Sequence, residues 1–480
     1  MRLLICTSAA ALLLAGAAFA DAYDEAQRCF AERGDLEAKL AACTGAIEAG
    51  GLDDRNLAVT LVNRGIAYRG RGQIAEAIAD YDKAIELSPR LLHAYYNRGL
   101  ARQAAGDDAG AAEDFGTSIG LRPDFAGAYL ARAGVYARLG YREHAVADYG
   151  AAIARDPDFT EAYLRRAELL LELGRRAEAN ADLEQAIRLA PDDKPLYLRR
   201  LELDREAGDS AGVVAGLTRI LARWPDDMQA RLERARTYLG LGEINSASND
   251  LDALLAAEAE HAQANRLRGE IYEREGDYRR AITALNMAID KGATDAGAFL
   301  VRARAFRASG DDSRAIADFD RALTREPDLA EALIGRGMAR FRMGIFAAAV
   351  PDLAKGLRGD PENVSAALWL YLAQTRAQMD GAAGLRAAAG RLELRGWPEA
   401  VVALYLGDGS ASRVRAQAEA ADPRLRTERQ CQANFYLGQH ALIGGDTHAA
   451  AKYFQAAVDT GASHLEAYRA AREELKRIGS

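Results

Sequence analysis

The chain has 480 residues, 49% of them hydrophobic but only 7% aromatic, and a formal net charge of −8. The acidic balance excludes a broad nucleic-acid surface, which needs a clustered basic excess. About three ordinary domains would fit this length, but a fixed repeat replaces that reading, because stacked units lengthen a protein without enlarging one core.

Residues 1–20 read as an export signal. Arg2 gives a short positive start, Leu3 to Phe19 is apolar, and Ala18-Phe19-Ala20 precedes Asp21 as a small-residue cleavage site. The run is too short for a membrane span, so the mature chain is expected to be periplasmic or secreted, with no membrane span. Export permits disulfides. Cys29 and Cys43 flank the turn at Gly34-Asp35 on two short helices, expected over about Asp24–Arg33 and Leu36–Ala49. A Cys29–Cys43 disulfide is one reading, and two small buried thiols in a helix pair the other. Residues 21–57 thus form a helical N-terminal cap.

From 58 to 363 the period is 34 residues. An arginine returns at Arg64, Arg98, Arg132, Arg166, Arg200, Arg234, Arg268, Arg302 and Arg336. Sixteen residues after most of them stands an aspartate: Asp80, Asp114, Asp148, Asp182, Asp250, Asp318 and Asp352, the exceptions being Gly216 and Ala284. Each unit reads as two helices, A and B. Small residues recur where the helices approach (Gly65, Ala77 and Ala84 in the first unit), large ones where they fill (Tyr68, Tyr81), and Pro89 closes the unit. Units five to seven depart from the pattern, with Leu201 and Val213 at small positions and Ala259 and Ala293 in place of proline.

These offsets resemble the tetratricopeptide repeat. The resemblance implies an all-α solenoid, a right-handed superhelix of helix-turn-helix repeats with helical caps at both ends, whose inner wall, lined from helix A, binds other proteins or peptide segments. The candidate groove residues on that wall are Asn63, Tyr96, Asn97, Leu100, Leu130, Arg138, Arg165 and Arg199; a solvated face is the alternative. Only Asn63, Asn97 and Arg138 hint at the clamp that chaperone-type members use for carboxylates.

The arginines read either as a cationic stripe for an anionic ligand or as partners of the phase-matched aspartates. The matching period favours pairing, a structural ladder, with Arg200 and Arg268 left free or reaching a neighbour. Catalysis finds no support. The six histidines are scattered, and no metal-binding HExxH, GxSxG or SxxK word is present. No catalytic residue, metal or cofactor is therefore expected. Asp107-Asp108 and Asp311-Asp312 read as N-caps and first-turn anions of helix B.

After Asn363 the phase breaks. Residues 364–430 read as an irregular helical region, with helices over about Val364–Met379, Ala382–Leu394, a stretch ending at Gly407, and Ser412–Ala421 stopped by Asp422-Pro423. Residues 431–480 read as a final repeat-like pair with a capping helix over Leu465–Ile478. The words Trp369-Leu370-Tyr371-Leu372-Ala373, Trp397, Leu404-Tyr405-Leu406-Gly407 and Asn434-Phe435-Tyr436-Leu437-Gly438-Gln439 resemble the C-terminal half of bacterial periplasmic proteins of the lipoprotein NlpI type. That resemblance implies a non-catalytic adaptor, a homodimer by analogy, that brings a periplasmic protease to peptidoglycan hydrolases. The chain departs from it in lacking a lipobox and in having many more repeats, so membrane anchoring is not carried over. The function expected is an exported scaffold for protein–protein contacts; the alternative is a binding module for an anionic envelope polymer, a polysaccharide or peptidoglycan.

Overall fold

The computed structural model describes residues 22–391 and 396–479. The export signal expected over 1–20, and the end of the helix expected to reach Leu394, lie outside the described residues. Among the described residues the chain is all-α, and consecutive helices pack as antiparallel pairs. It divides into two compact bodies, one ending at Gly212 and one beginning at Val213.

In the N-terminal body a first helix over 22–31 is tied to Leu36–Ala49 by a Cys29–Cys43 disulfide, both cysteines being fully buried. Asp35 caps the second of these helices by accepting from the backbone N–H groups of Glu37 and Ala38. The first regular unit pairs Asp54–Gly70 with Ile74–Leu87. Gly72, at φ 77°, makes the turn between them, and glycine returns there in a left-handed conformation every 34 residues through Gly344. The helices close onto each other through a two-residue word on each side. A Cβ on Gly65 would stand 2.5 Å from the Tyr81 ring, so only glycine admits that ring. The neighbouring Arg64 meets Asp80, next to Tyr81. The same glycine-to-ring fit recurs between Gly99 and Phe115 at 2.7 Å.

The C-terminal body repeats the arrangement between Gly269 and Leu285, Gly337 and Leu353, and Gly438 and Phe454. Beyond the regular units its helices run Val364–Arg376, Ala382–Arg391, Glu399–Leu406, Ala411–Ala418, Pro423–Ile443, Thr447–Asp459 and Glu466–Gly479. One core joins this region to the last regular unit: Trp369 meets Phe341 edge-on at 5.1 Å and stacks on Phe435 at 5.3 Å. Residue 431 therefore begins nothing, since it lies inside a continuous helix of 21 residues. Asp422-Pro423, which reads in sequence as a stop, is the start of that helix: Asp422 accepts from the Leu425 N–H, and Pro423 occupies a first-turn position where no N–H is needed.

The last helix is held by charge. Glu466 lies 3.0 Å from Arg342, 3.6 Å from Arg307 and 3.1 Å from Arg469. Eight residues on, buried Glu474 accepts from Arg376 at 2.9 Å and Gln439 at 3.1 Å. Burial alone would raise the Glu466 carboxyl, but the guanidiniums of Arg307, Arg342 and Arg469 outweigh it and hold it down at about 2, against an ordinary 4.5. A folded-state value below the unfolded one means that the stabilisation is complete above about pH 4.5 and is lost as pH falls toward 2. Hydrogen exchange should accordingly show protection of Glu466–Gly479 declining across that window before the regular units open. In Glu466→Gln the protection should already be low at pH 7 and nearly flat with pH; a wild-type profile in that variant would refute the assignment.

Candidate functional site

Seven arginines of the repeating series grip the aspartate sixteen residues on with two parallel bonds. Arg64 donates from Nε and Nη2 to Asp80 at 2.8 and 2.7 Å, and Arg302 to Asp318 at 2.6 and 2.9 Å. Arg98, Arg132, Arg166, Arg234 and Arg336 hold Asp114, Asp148, Asp182, Asp250 and Asp352 in the same fork. All seven aspartates are buried. The bidentate bond from Asp80 raises Arg64 above its ordinary value, and Asp148, Asp182, Asp250 and Asp352 do the same for their arginines.

In four of the seven the third guanidinium nitrogen reaches backward. Arg98 Nη1 donates to Asp82 at 2.6 Å, Arg234 to Thr218 at 3.0 Å, Arg302 to Asn286 at 2.8 Å and Arg336 to Asp320 at 2.6 Å. Each acceptor stands sixteen residues before its arginine, on helix B of the preceding unit. Sequence reading missed this second column because its members vary among Asp, Thr, Asn and Glu; their signal is position, two residues after Asp80, Asp182, Asp250 and Asp318 and after the exceptions Gly216 and Ala284. The two arginines without a forward aspartate are both engaged. Arg200 pairs with Asp204, one turn on in its own helix, and lies 3.6 Å from Glu184, while Arg268 donates to Asp252. The series is thus mainly internal bonding, with one carboxylate or two at each position.

A groove lies beside the ladder in the N-terminal body. It is a cavity of about 640 Å³ between the A helices Leu92–Ala104, Ala126–Arg138 and Thr160–Glu172. Tyr96, Leu100, Leu130, Tyr149 and Leu169 make its apolar wall, and Arg138, Arg165, Glu161 and Glu168 its charged rim. Tyr96 is set by edge-on contact with Phe125 at 4.9 Å. Arg165 donates to Glu161 at 2.7 Å and to Glu168 at 3.3 Å; Arg138 donates to Asp108 at 3.1 and 2.5 Å. The rim charges are thereby pre-ordered, and Asp108 serves the next unit as well as the first turn of its own helix.

Of the residues expected on this wall, Tyr96, Leu100, Leu130, Arg138 and Arg165 come together. The other three do not. Asn97 is buried and donates to the His93 carbonyl at 2.8 Å, so it cannot face a ligand. Asn63 bonds back to the Val59 carbonyl at 3.0 Å, and Arg199 to Glu202 at 2.8 Å, and neither lines the cavity. An amide one turn from its own helix carbonyls satisfies itself locally, which is why the clamp-like reading of Asn63 and Asn97 fails. Tyr149 was missed. It occupies the ring position that Tyr81 and Phe115 bury against glycine, but here the facing residue is Ala133, and Tyr149 lines the cavity. No sequence signal singles it out, since alanine stands at that position also in Ala167, Ala235 and Ala303. Among the described residues no three His, Cys, Asp or Glu side chains are grouped to hold a metal ion, and no helix is long and apolar enough to cross a membrane.

Family models of the TPR repeat match residues 65–106, and models of the tetratricopeptide repeat match 126–159, 160–193, 232–296 and 300–364, together half of the chain. Among solved structures, the chain is similar to MamA (25% identity, 34% of this chain and 92% of that one, TM-score 0.31). It is also similar to a tetratricopeptide repeat protein from Parabacteroides merdae (18%, 52% and 98%, TM-score 0.32) and to the TPR domain of P58(IPK) (18%, 67% and 98%, TM-score 0.28).

The ladder makes a clear energetic prediction. Asp318 is 1% exposed and Arg302 8%. Removing the carboxylate in Asp318→Ala strands a buried charge and should cost the C-terminal body about 3–5 kcal/mol in urea unfolding. Replacing both partners, in Arg302→Met with Asp318→Leu, should recover most of that loss. A double variant as unstable as the single one would show that the pair stabilises beyond satisfying its own buried charges.

Proposed function

Because this chain belongs to the tetratricopeptide repeat proteins, we propose that it is an exported, non-catalytic scaffold whose N-terminal groove binds a segment of another protein in the periplasm or cell envelope. The observation that carries this reading is the cavity of about 640 Å³ walled by Tyr96, Leu100, Leu130 and Tyr149. Aromatic and aliphatic walls beside ordered charges suit an apolar anchor with polar flanks. The export step rests on Arg2, the apolar run and Ala18-Phe19-Ala20. The NlpI-type words of the C-terminal region support a partner among envelope proteases or peptidoglycan hydrolases, and a homodimer. The polymer-binding alternative needs free cations in the groove. It is disfavoured because Arg165 is held by Glu161 and Glu168, and Arg199 by Glu202.

In-cell crosslinking and affinity purification from the envelope should recover a protease or wall enzyme. Leu130→Glu should weaken that recovery and the measured affinity by roughly 30-fold, the effect of losing about 2 kcal/mol at a buried anchor. Thermal unfolding should move little, because Leu130 is only half-buried. Recovery unaffected by Leu130→Glu and Tyr96→Ala would remove the groove from the proposal. Salt-sensitive glycan binding lost in Arg165 and Arg199 variants, without a protein partner, would replace it with the polymer reading.

A further inference from the structure

One position in the ladder is open. At Arg268 the residue sixteen on is Ala284, and the residue one turn on, where Arg200 finds Asp204, is Tyr272. The Arg268 guanidinium therefore has a backward partner, Asp252, and a weak bond to the Ser248 carbonyl at 3.4 Å, but no forward carboxylate. Its Nε, which in seven other units donates to an aspartate, is buried with no hydrogen-bond acceptor, as is the Arg200 Nε at the other gap. A buried donor without an acceptor is rare in folded proteins and costly.

The space where the aspartate would stand is a cavity of about 440 Å³. Arg268, Arg279 and Arg280 line it, together with Tyr272, Thr283 and Ala284. No acidic side chain lines it. Arg280 is shared with Asp277 at 3.4 Å, and Arg279 is exposed with no bonding partner for its side chain among the described residues. Met287, 38% exposed, and Leu255 form an apolar edge.

We propose that this cavity is a socket for one carboxylate, the Asp or Glu side chain of a partner protein, which completes the ladder from outside. Three observations converge on that chemistry. The Nε that holds a carboxylate in seven other units is unpaired here, while Nη2, the second prong of those forks, is turned back to Asp252. The hole adjoins Ala284, one of the two ladder positions where a small residue replaces the acid. The lining carries three guanidiniums and no acid, and the Leu255–Met287 edge suits the apolar neighbour of an acidic residue. The socket lies in the C-terminal body and is independent of the groove walled by Tyr96 and Leu130, so each can fail without the other.

The test uses the full chain with its arginine side chains labelled, following the Nε–H resonances while N-acetylaspartate amide is added. The Arg268 resonance should move saturably toward the position of its carboxylate-bound counterparts. N-acetylasparagine amide should leave it in place, and inorganic phosphate should bind more weakly. Ala284→Asp should show the bound position without any ligand and lose roughly tenfold or more of the affinity for the probe. If that variant does not fold, Met287→Glu, at an exposed position on the same cavity, should fill the socket from its edge with the same two effects. Arg268→Lys, which keeps the charge but not the fork, should also bind poorly. No saturable shift, an equal response to the asparagine amide, tighter binding of phosphate, or undiminished binding when the socket is filled in cis would each overturn the proposal.

Discussion

The structure depends on a guanidinium shared between helix pairs. Its Nε and Nη2 close the two helices of one unit through a buried aspartate, and its Nη1 reaches helix B of the unit before, as at Arg98, Arg302 and Arg336. A well-satisfied buried ion pair adds little net stability, yet breaking one is costly. Its leverage is therefore on register. If a helix slipped by one residue, the Arg64–Asp80 fork would be lost at the same moment that Gly65 moved off the Tyr81 ring. Charge and shape together specify one alignment of the two helices within a unit.

This commitment decides where function can reside. An arginine with most of its donors consumed inside the array cannot also recruit a ligand at low cost, because binding would first break a desolvated pair. The seven forked arginines that stand out in the sequence are for that reason not a binding surface. What remains available are helix A positions that change from unit to unit: Leu100, Leu130 and Arg138 follow no ladder, and they converge with Tyr96 on the cavity of the N-terminal body. Repetition builds the frame, and departure from repetition builds the site.

The same division explains what could be read from sequence. The all-α class, the paired helices and the forward Arg–Asp column follow from a fixed period, since one period forces one geometry on every unit. The backward column was hidden because an acceptor need only offer an oxygen, which Asp82, Thr218 and Asn286 all do. Asn97 was misplaced because helix A alone does not tell which of two adjacent positions faces out; burial against the neighbouring unit decides it. In the C-terminal region no period guides the eye. There Asp422-Pro423 is a stop signal for one helix and a start signal for the next, and only the bond from Leu425 N–H to Asp422 distinguishes them.

The two gaps in the ladder show how departures differ in consequence. Both Gly216 and Ala284 remove a forward carboxylate, and by composition they are equivalent losses. At Arg200 the chain supplies a substitute one turn away, Asp204, itself buried, so the charge is answered within the helix that bears it. At Arg268 the same turn offers Tyr272, whose ring lies 6.0 Å from the guanidinium carbon. Tyr272 favours the Arg268 cation through its ring and hydroxyl but supplies no carboxylate. Both arginines thus keep one carboxylate, Asp204 or Asp252, and both leave Nε without an acceptor; the Arg268 gap differs in opening on a cavity that no acidic side chain lines. An unsatisfied buried donor beside two further arginines is a local cost to folding, and a carboxylate from outside the chain would turn that cost into selective affinity.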